Sequence, residues 1–447
     1  MACSQTLSSL FIFSFITICY AALDPFKLSK PNAIHFPIRK NQTTLQYYTT
    51  YESGNPQSRT TIDALIDLGA QSVWFECTSY VSSTYKRASC GSNRCKKAKG
   101  TGCIGCDSAP RPGCSNNTCA VYGYNPFTEY LTAQELGEDT MRVTSTDGQS
   151  ILLNYDIPKF QFSCADPDIV EGLPGDHTKG LVGLARTDVS LPLQISSSLK
   201  LAQKFALCLP SSSDNGLGDI FIGGGPYYMP PSTEDQSLSF ISTPLVINPV
   251  STAPMYNEGD ASDEYFINVK AIEISGKPIA LNSSLLSFDK NGFGGTKIST
   301  IVPYTALHST IYKSLVKDFI KAATKNNIKR VTSVAPFGAC FDSKTAPKTI
   351  TGPAVPDIDL ILEGNTTRFR IYGSNSMVEA QKNVICLAFI DGGAEPRTSI
   401  VLGGHQLENR ILEFDVGASM LGITSSLLVW NTSCSHYRSS YLKPQVI

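Results

Sequence analysis

A pattern that occurs twice restricts the fold of this chain more than any other feature. In the first half, Asp67-Leu68-Gly69 closes an alternating apolar run, and Gly180-Leu181-Val182-Gly183-Leu184 follows later. In the second half, Ser299-Thr300-Ile301 is followed by Ile400-Val401-Leu402-Gly403-Gly404. One apolar-apolar-Gly strand end is an ordinary strand meeting a turn. The same pairing once per half predicts two related β-lobes. The boundary falls between about Gln236 and Pro249, which gives a first lobe over residues 22–238 and a second over 239–447.

Length and composition agree with this division. The 447 residues suggest two or three domains. Hydrophobic content of 42% with charged content of 17% describes a globular chain with ample core. A net charge of −1 gives no reason to expect nucleic acid or an anionic membrane as partner. Gly, Pro, Ser and Thr are abundant, which favours short strands and many turns. Thr61–Ile66, Asp219–Ile222 and Asp357–Leu362 read as strands by their alternation. The clearest helix spans about Thr310 to Lys325, with Ile311, Leu315 and Phe319 on one face. Ser309 or Thr310 is its expected N-cap, and Asn326-Asn327 its stop. A shorter helix is expected from Leu191 to Leu201.

The first 21 residues read as a secretory signal. Leu10 to Cys19 is an apolar core too short to span a bilayer comfortably, and Ala21-Ala22 offers small residues for cleavage, although no Lys or Arg precedes the run. Cys3 and Cys19 would leave with it. The other twelve cysteines are Cys77, Cys90, Cys95, Cys103, Cys106, Cys114, Cys119, Cys164, Cys208, Cys340, Cys386 and Cys434. An even count in an oxidising compartment points to disulfides. Cys103-Ile104-Gly105-Cys106 has the spacing of a zinc knuckle, but no matching His pair follows, so no metal site is expected. Seven of the twelve cysteines crowd between Cys77 and Cys119 with Lys96, Lys97 and Lys99. Such a stretch supplies little core and reads as a disulfide-stapled insertion in the first lobe. Its basic cluster reads more readily as a solvated loop than as a binding site. Five N-x-S/T sequons, at Asn41, Asn116, Asn282, Asn365 and Asn431, predict a surface glycoprotein.

Longer motifs carry a resemblance. Asp67-Leu68-Gly69, Trp74, Phe160-Gln161-Phe162-Ser163-Cys164 and Lys204-Phe205-Ala206-Leu207-Cys208-Leu209-Pro210 follow plant pepsin-like proteins. Pro112 to Cys119, Tyr124-Asn125-Pro126-Phe127, Gly294 to Thr300 and Arg397 to Leu407 resemble one branch of them. That branch holds the xyloglucan-specific endoglucanase inhibitors, extracellular dermal glycoproteins and basic seed globulins, with the cereal xylanase inhibitors more distant. The resemblance implies a mainly β, two-lobed pepsin-like fold without protease activity, and no cofactor. It implies disulfides Cys340–Cys386, Cys208–Cys434 and Cys77–Cys164.

The residues themselves argue for lost catalysis. Pepsin chemistry needs two carboxylates that share a proton and activate a water. Asp67 matches the first, but Ser299 stands where the second is expected. Leu68 and Ala70 replace hydroxyl residues beside the first Asp. Tyr122 keeps the flap tyrosine, while Tyr124-Asn125-Pro126 replaces a Gly-rich flap tip. Asp67 then reads as a structural acceptor for its own loop.

The expected function is inhibition of a microbial endoglucanase or xylanase in the plant apoplast or cell wall, by a monomer. Glycoside hydrolases carry paired carboxylates, and a guanidinium could bridge them. Arg397, in the Gly/Pro-rich turn after Gly392, is the first choice for that role and Arg330 the second. Each could equally be a solvated Arg or a local partner of Glu395 or Asp342. Peptide binding, a storage globulin and a residual aspartic endopeptidase are the rival functions.

Overall fold

The computed structural model describes residues 31–175, 177–211, 216–364 and 367–436. The signal segment, the tail from residue 437 and the Asn365 sequon lie outside these residues. The fold is mainly β and two-lobed.

The repeated sequence pattern corresponds to a repeated arrangement of strands. In the first half Thr60–Asp67 runs parallel to Gly180–Gly183, with Asp67 opposite Gly183. Val73–Glu76 flanks the same inner strand in antiparallel fashion. In the second half Thr296–Ile298 runs parallel to Ile400–Leu402, which Thr305–Leu307 flanks antiparallel. Each unit is a strand, a turn and a returning strand, with a later strand threaded between.

The glycines that close the threaded strands have a steric reason. A Cβ on Gly183 would lie 2.3 Å from the Ala70 carbonyl and 2.4 Å from that of Ser72. A Cβ on Gly403 would lie 2.7 Å from the Val302 carbonyl. Both glycines pass directly over the turn that carries Asp67 or follows Ser299, and no larger residue fits there.

The halves share one antiparallel sheet. Its order is Ala33–Lys40, Gly218–Ile222, Lys204–Cys208, Ile411–Asp415, Met420–Ile423 and Ile241–Val246. On it Phe205 stacks on Phe414 at 4.9 Å, and Tyr265 tilts onto Phe414 at 4.6 Å. Aromatic burial of this kind favours the sheet beyond its ladder hydrogen bonds. The disulfide Cys208–Cys434 joins the end of one of its strands to the C-terminal region.

Strands outnumber helices, and the main helix is Ser309–Lys325. Its buried face is Ile311, Leu315, Phe319 and Ala323. The cap is His308, whose side chain accepts from the Thr310 N–H, rather than Ser309 or Thr310. A neutral imidazole with a free ring nitrogen can accept as a hydroxyl does, which composition-based capping rules overlook. At the other end Asn326 is the C-cap and Asn327 takes a left-handed φ of 59°. The shorter helix is Leu191–Leu199, closed by a left-handed Lys200.

Candidate functional site: the cleft between the lobes

Between the lobes lies a cleft with a cavity of about 280 Å³, lined by Asp67, Ser299, Tyr122 and Tyr124 among others. Asp67 ends its strand, so its carboxylate sits over the turn that follows. There Asp67 Oδ1 accepts from the Gly69 N–H at 2.7 Å. Ser299 makes the matching contacts one lobe away, its Oγ accepting from Ile301 N at 3.2 Å and Val302 N at 3.4 Å. Both side chains are loop caps in the structure.

The turns are also joined to each other, but from one side only. Thr300 Oγ1 donates to the Ile66 carbonyl at 2.8 Å and accepts from the Leu68 N–H at 3.2 Å. The duplicated pattern aligns Leu68 with Thr300, and Leu68 has no hydroxyl to return the bond. It packs instead in the core, 1% exposed.

A segment missed by sequence reasoning forms part of the cleft wall. Thr252, Ala253, Pro254 and Met255 line it, and their segment is tied to the opposite lobe. The Arg186 amide donates to the Asp263 carbonyl at 3.0 Å, and the Arg186 guanidinium reaches Ser262 O at 3.1 Å and Glu264 O at 2.8 Å. Gln71 Nε2 and Lys99 Nζ both donate to Asp263 Oδ2, at 2.6 Å and 2.9 Å.

Glu264, at the end of this segment, places a second carboxylate near Asp67. A Cβ on Gly69 would lie 2.6 Å from Glu264 Oε1 and 3.3 Å from Asp67 Oδ1. Glu264 is held by Lys297 Nζ at 2.9 Å and by the Thr252 hydroxyl. Burial pushes the Asp67 carboxyl up to about 6; the Gly69 N–H opposes this, the Glu264 charge adds to it and Lys297 opposes it. The cleft thus holds one desolvated carboxyl and an ion pair, where water activation needs a free dyad.

The flap is fastened. It is the hairpin of Thr118–Asn125 and Tyr130–Thr146, with Tyr122 38% exposed at the cleft. At its tip Asn125 is fully buried. Asn125 Nδ2 donates to Ile169 O at 2.8 Å and Glu171 O at 3.1 Å, while Oδ1 accepts from Phe127 N at 2.9 Å. A glycine tip could not make these bonds.

The two arginines singled out from the sequence are in different situations. Arg397 is half-buried; its Nη2 donates to the Ser251 carbonyl at 2.7 Å and its guanidinium lies 5.8 Å from the Phe293 ring centre. Its partner is therefore the start of the cleft-lining segment, not Glu395. Arg330 is exposed and has no side-chain partner among the described residues, Asp342 included. They lie towards opposite ends of the helix Ser309–Lys325, since Ser309 N bonds Gly393 O and Arg330 follows the helix end.

The twelve cysteines form Cys77–Cys164, Cys90–Cys103, Cys95–Cys119, Cys106–Cys114, Cys208–Cys434 and Cys340–Cys386. Three of these are the pairs that the resemblance implies, and the other three lie inside the insertion. Of the described sequons, Asn116, Asn282 and Asn431 are exposed and Asn41 is half-buried. A larger cavity of about 770 Å³ lies away from the cleft. The deepest charge on its wall, Glu408, is already held by Lys40, Tyr47 and His405.

Comparisons with known proteins fit this geometry. Residues 47–224 match the family model described as xylanase inhibitor N-terminal, and residues 264–425 the one described as xylanase inhibitor C-terminal. The probable aspartic proteinase GIP2 of Nicotiana benthamiana is 44% identical over 98% of this chain and 99% of its own. Gamma conglutin 1 of Prunus dulcis is 36% identical over 91% and 90%. Among solved structures, edgp superposes with a TM-score of 0.88 at 43% identity, covering 91% of this chain and 98% of its own. Basic 7S globulin from soybean gives 0.78 at 30%, with 91% and 98% covered.

Proposed function

The chain belongs to the xylanase-inhibitor family of pepsin-like proteins, and from that premise we propose that it inhibits microbial cell-wall-degrading glycoside hydrolases. The target is a xyloglucan-specific endoglucanase or a xylanase, met outside the plant cell by a secreted, proteolytically inactive protein. One observation carries the reading. The chain's own segment 252–255 forms part of the wall of the cleft that would process a peptide, and the carboxylate beside Asp67 is committed to Lys297. Recognition is then left to the outer loops of the second lobe.

We propose Arg330 and Arg397 as contact residues. Arg330 is free to enter an enzyme's carboxylate pair. Arg397 spends one donor on Ser251 and retains others of its five, so its effect on a partner includes the seating of the cleft-lining segment. The test is titration of the purified protein against xyloglucanases and xylanases of several families. A stoichiometric complex of about nanomolar affinity is expected. Full activity of every enzyme tested would end the proposal.

Relatives named as globulins and conglutins favour a second reading, a storage-type globulin. Abundant accumulation with no effect on any glycanase would support it. A relative named a probable aspartic proteinase keeps a third. Acid-pH cleavage of denatured protein, abolished by Asp67→Ala, would establish that one.

A further inference from the structure

We propose that the disulfide-held insertion carries a binding groove for an acidic polysaccharide, a chain of carboxylated sugars. Residues 86–111 hold seven of the chain's 37 basic residues and one, Asp107, of its 38 acidic ones. A chain of net charge −1 thus concentrates positive charge in one small region, where Arg94 and Lys99 are paired with Glu138 and Asp263 and the other five form no ion pair among the described residues.

The charge faces a groove. Lys86, Arg87 and Arg111 line a concavity of about 480 Å³ with Tyr85, Pro110 and Pro112. All three cations are exposed. Lys86 has no side-chain partner among the described residues. Arg87 and Arg111 each spend one nitrogen on a backbone carbonyl, Asn117 O at 2.8 Å and Pro112 O at 3.2 Å. Their charges are uncompensated, and the carbonyl contacts aim the guanidinium planes while leaving donors for a carboxylate. The carboxylate beneath makes no ion pair with these three cations. Glu135 is 2% exposed, and its Oε1 is covered by the Tyr85 hydroxyl at 2.5 Å, Gly113 N at 3.2 Å and Ser115 Oγ at 3.2 Å.

The site is also rigid. Cys90–Cys103, Cys95–Cys119 and Cys106–Cys114 pin the insertion, so little ordering entropy opposes binding. Lys96 and Lys97, exposed at the end of the short helix Asn93–Lys97, add charge on the same insertion. Sugar fits this surface better than nucleic acid or lipid. Proline faces and a half-covered Tyr85 suit the C–H faces of pyranose rings, whereas base recognition uses exposed stacking aromatics. A five-residue helix offers no apolar stripe for a bilayer surface. The proposal does not depend on the inhibitor reading, because it concerns the other lobe.

Immobilised polygalacturonate tests it, with the fully methyl-esterified polymer and duplex DNA as controls. The full secreted protein should be retained by the first and bind the esterified polymer at least about tenfold more weakly. Affinity should fall about tenfold or more between about 50 and about 200 mM NaCl. Lys86→Glu with Arg111→Glu should lower it at least about tenfold. Lys317→Glu with Lys321→Glu, on the second-lobe helix, should leave it unchanged. Should the reversal disturb folding, Lys86→Gln with Arg111→Gln gives the same comparison with a smaller loss. Absence of retention at low salt, equal binding to the esterified polymer or to DNA, or wild-type binding by a folded groove variant would each overturn the proposal.

Discussion

At the scale of single residues, Asp67 gives the sharpest test. Its carboxyl titrates near 6 in the fold, above the ordinary 3.8, so the native state binds the proton more tightly than the unfolded chain. Stability contributed by the protonated form is complete below about 4 and is lost as pH rises through about 6. Wild type should therefore lose about 2–3 kcal/mol relative to Asp67→Asn between about pH 4 and pH 7. Urea unfolding of both proteins across that range checks it; parallel profiles would refute it. Ser299→Asp is the second test. It restores a carboxylate yet leaves Lys297–Glu264 and residues 252–255 in the cleft, so no acid proteolysis should appear in a substrate-digestion assay. Ser299 could be singled out in the sequence because a hydroxyl at an expected carboxylate position needs no geometry to be noticed. Arg397 was not, because its partner Ser251 lies 146 residues away and is a carbonyl that every residue possesses.

At the scale of elements, the flap and the cleft-lining segment are both anchored by side-chain hydrogen bonds. Asn125→Ala would leave the carbonyls of Ile169 and Glu171 and the Phe127 amide without their side-chain partner. A loss of about 2–4 kcal/mol is expected, with faster hydrogen exchange across residues 118–131 and no change in the helix Ser309–Lys325. Unaltered exchange in the hairpin would show that the tether is idle. Strands and the main helix were readable because alternation and a 3.6-residue period are local signals. The role of residues 251–264 was not. The bonds that tie it to the first lobe, from Gln71, Lys99 and Arg186, come from the other half of the chain, and residues 251–263 fall between the two stretches that match family models.

At the scale of the whole molecule, the two lobes are joined by a shared sheet, by Thr300 and by one long covalent link. Cys208–Cys434 closes a loop of 226 residues in sequence separation. Its replacement by Ser at both positions should cost about 3–5 kcal/mol, read as a lowered denaturant midpoint at unchanged fold by circular dichroism. A shift below about 1 kcal/mol would mean that the sheet alone holds the ends. The two-lobed plan was visible from the repeated turn-and-glycine pattern, since each half had to build the same steric crossing. The shared sheet was not, because none of its strands announces its neighbour.

That sheet has a consequence for biosynthesis. Lys204–Cys208 finds its partner Ile411–Asp415 only after about 200 further residues have been made, which at about 5–20 residues per second takes on the order of ten seconds or more. Throughout that interval the nascent first lobe presents a bare, apolar strand edge to whatever surrounds it. A fold whose central sheet is completed by its final strands depends on its surroundings to shield the unfinished edge until translation ends.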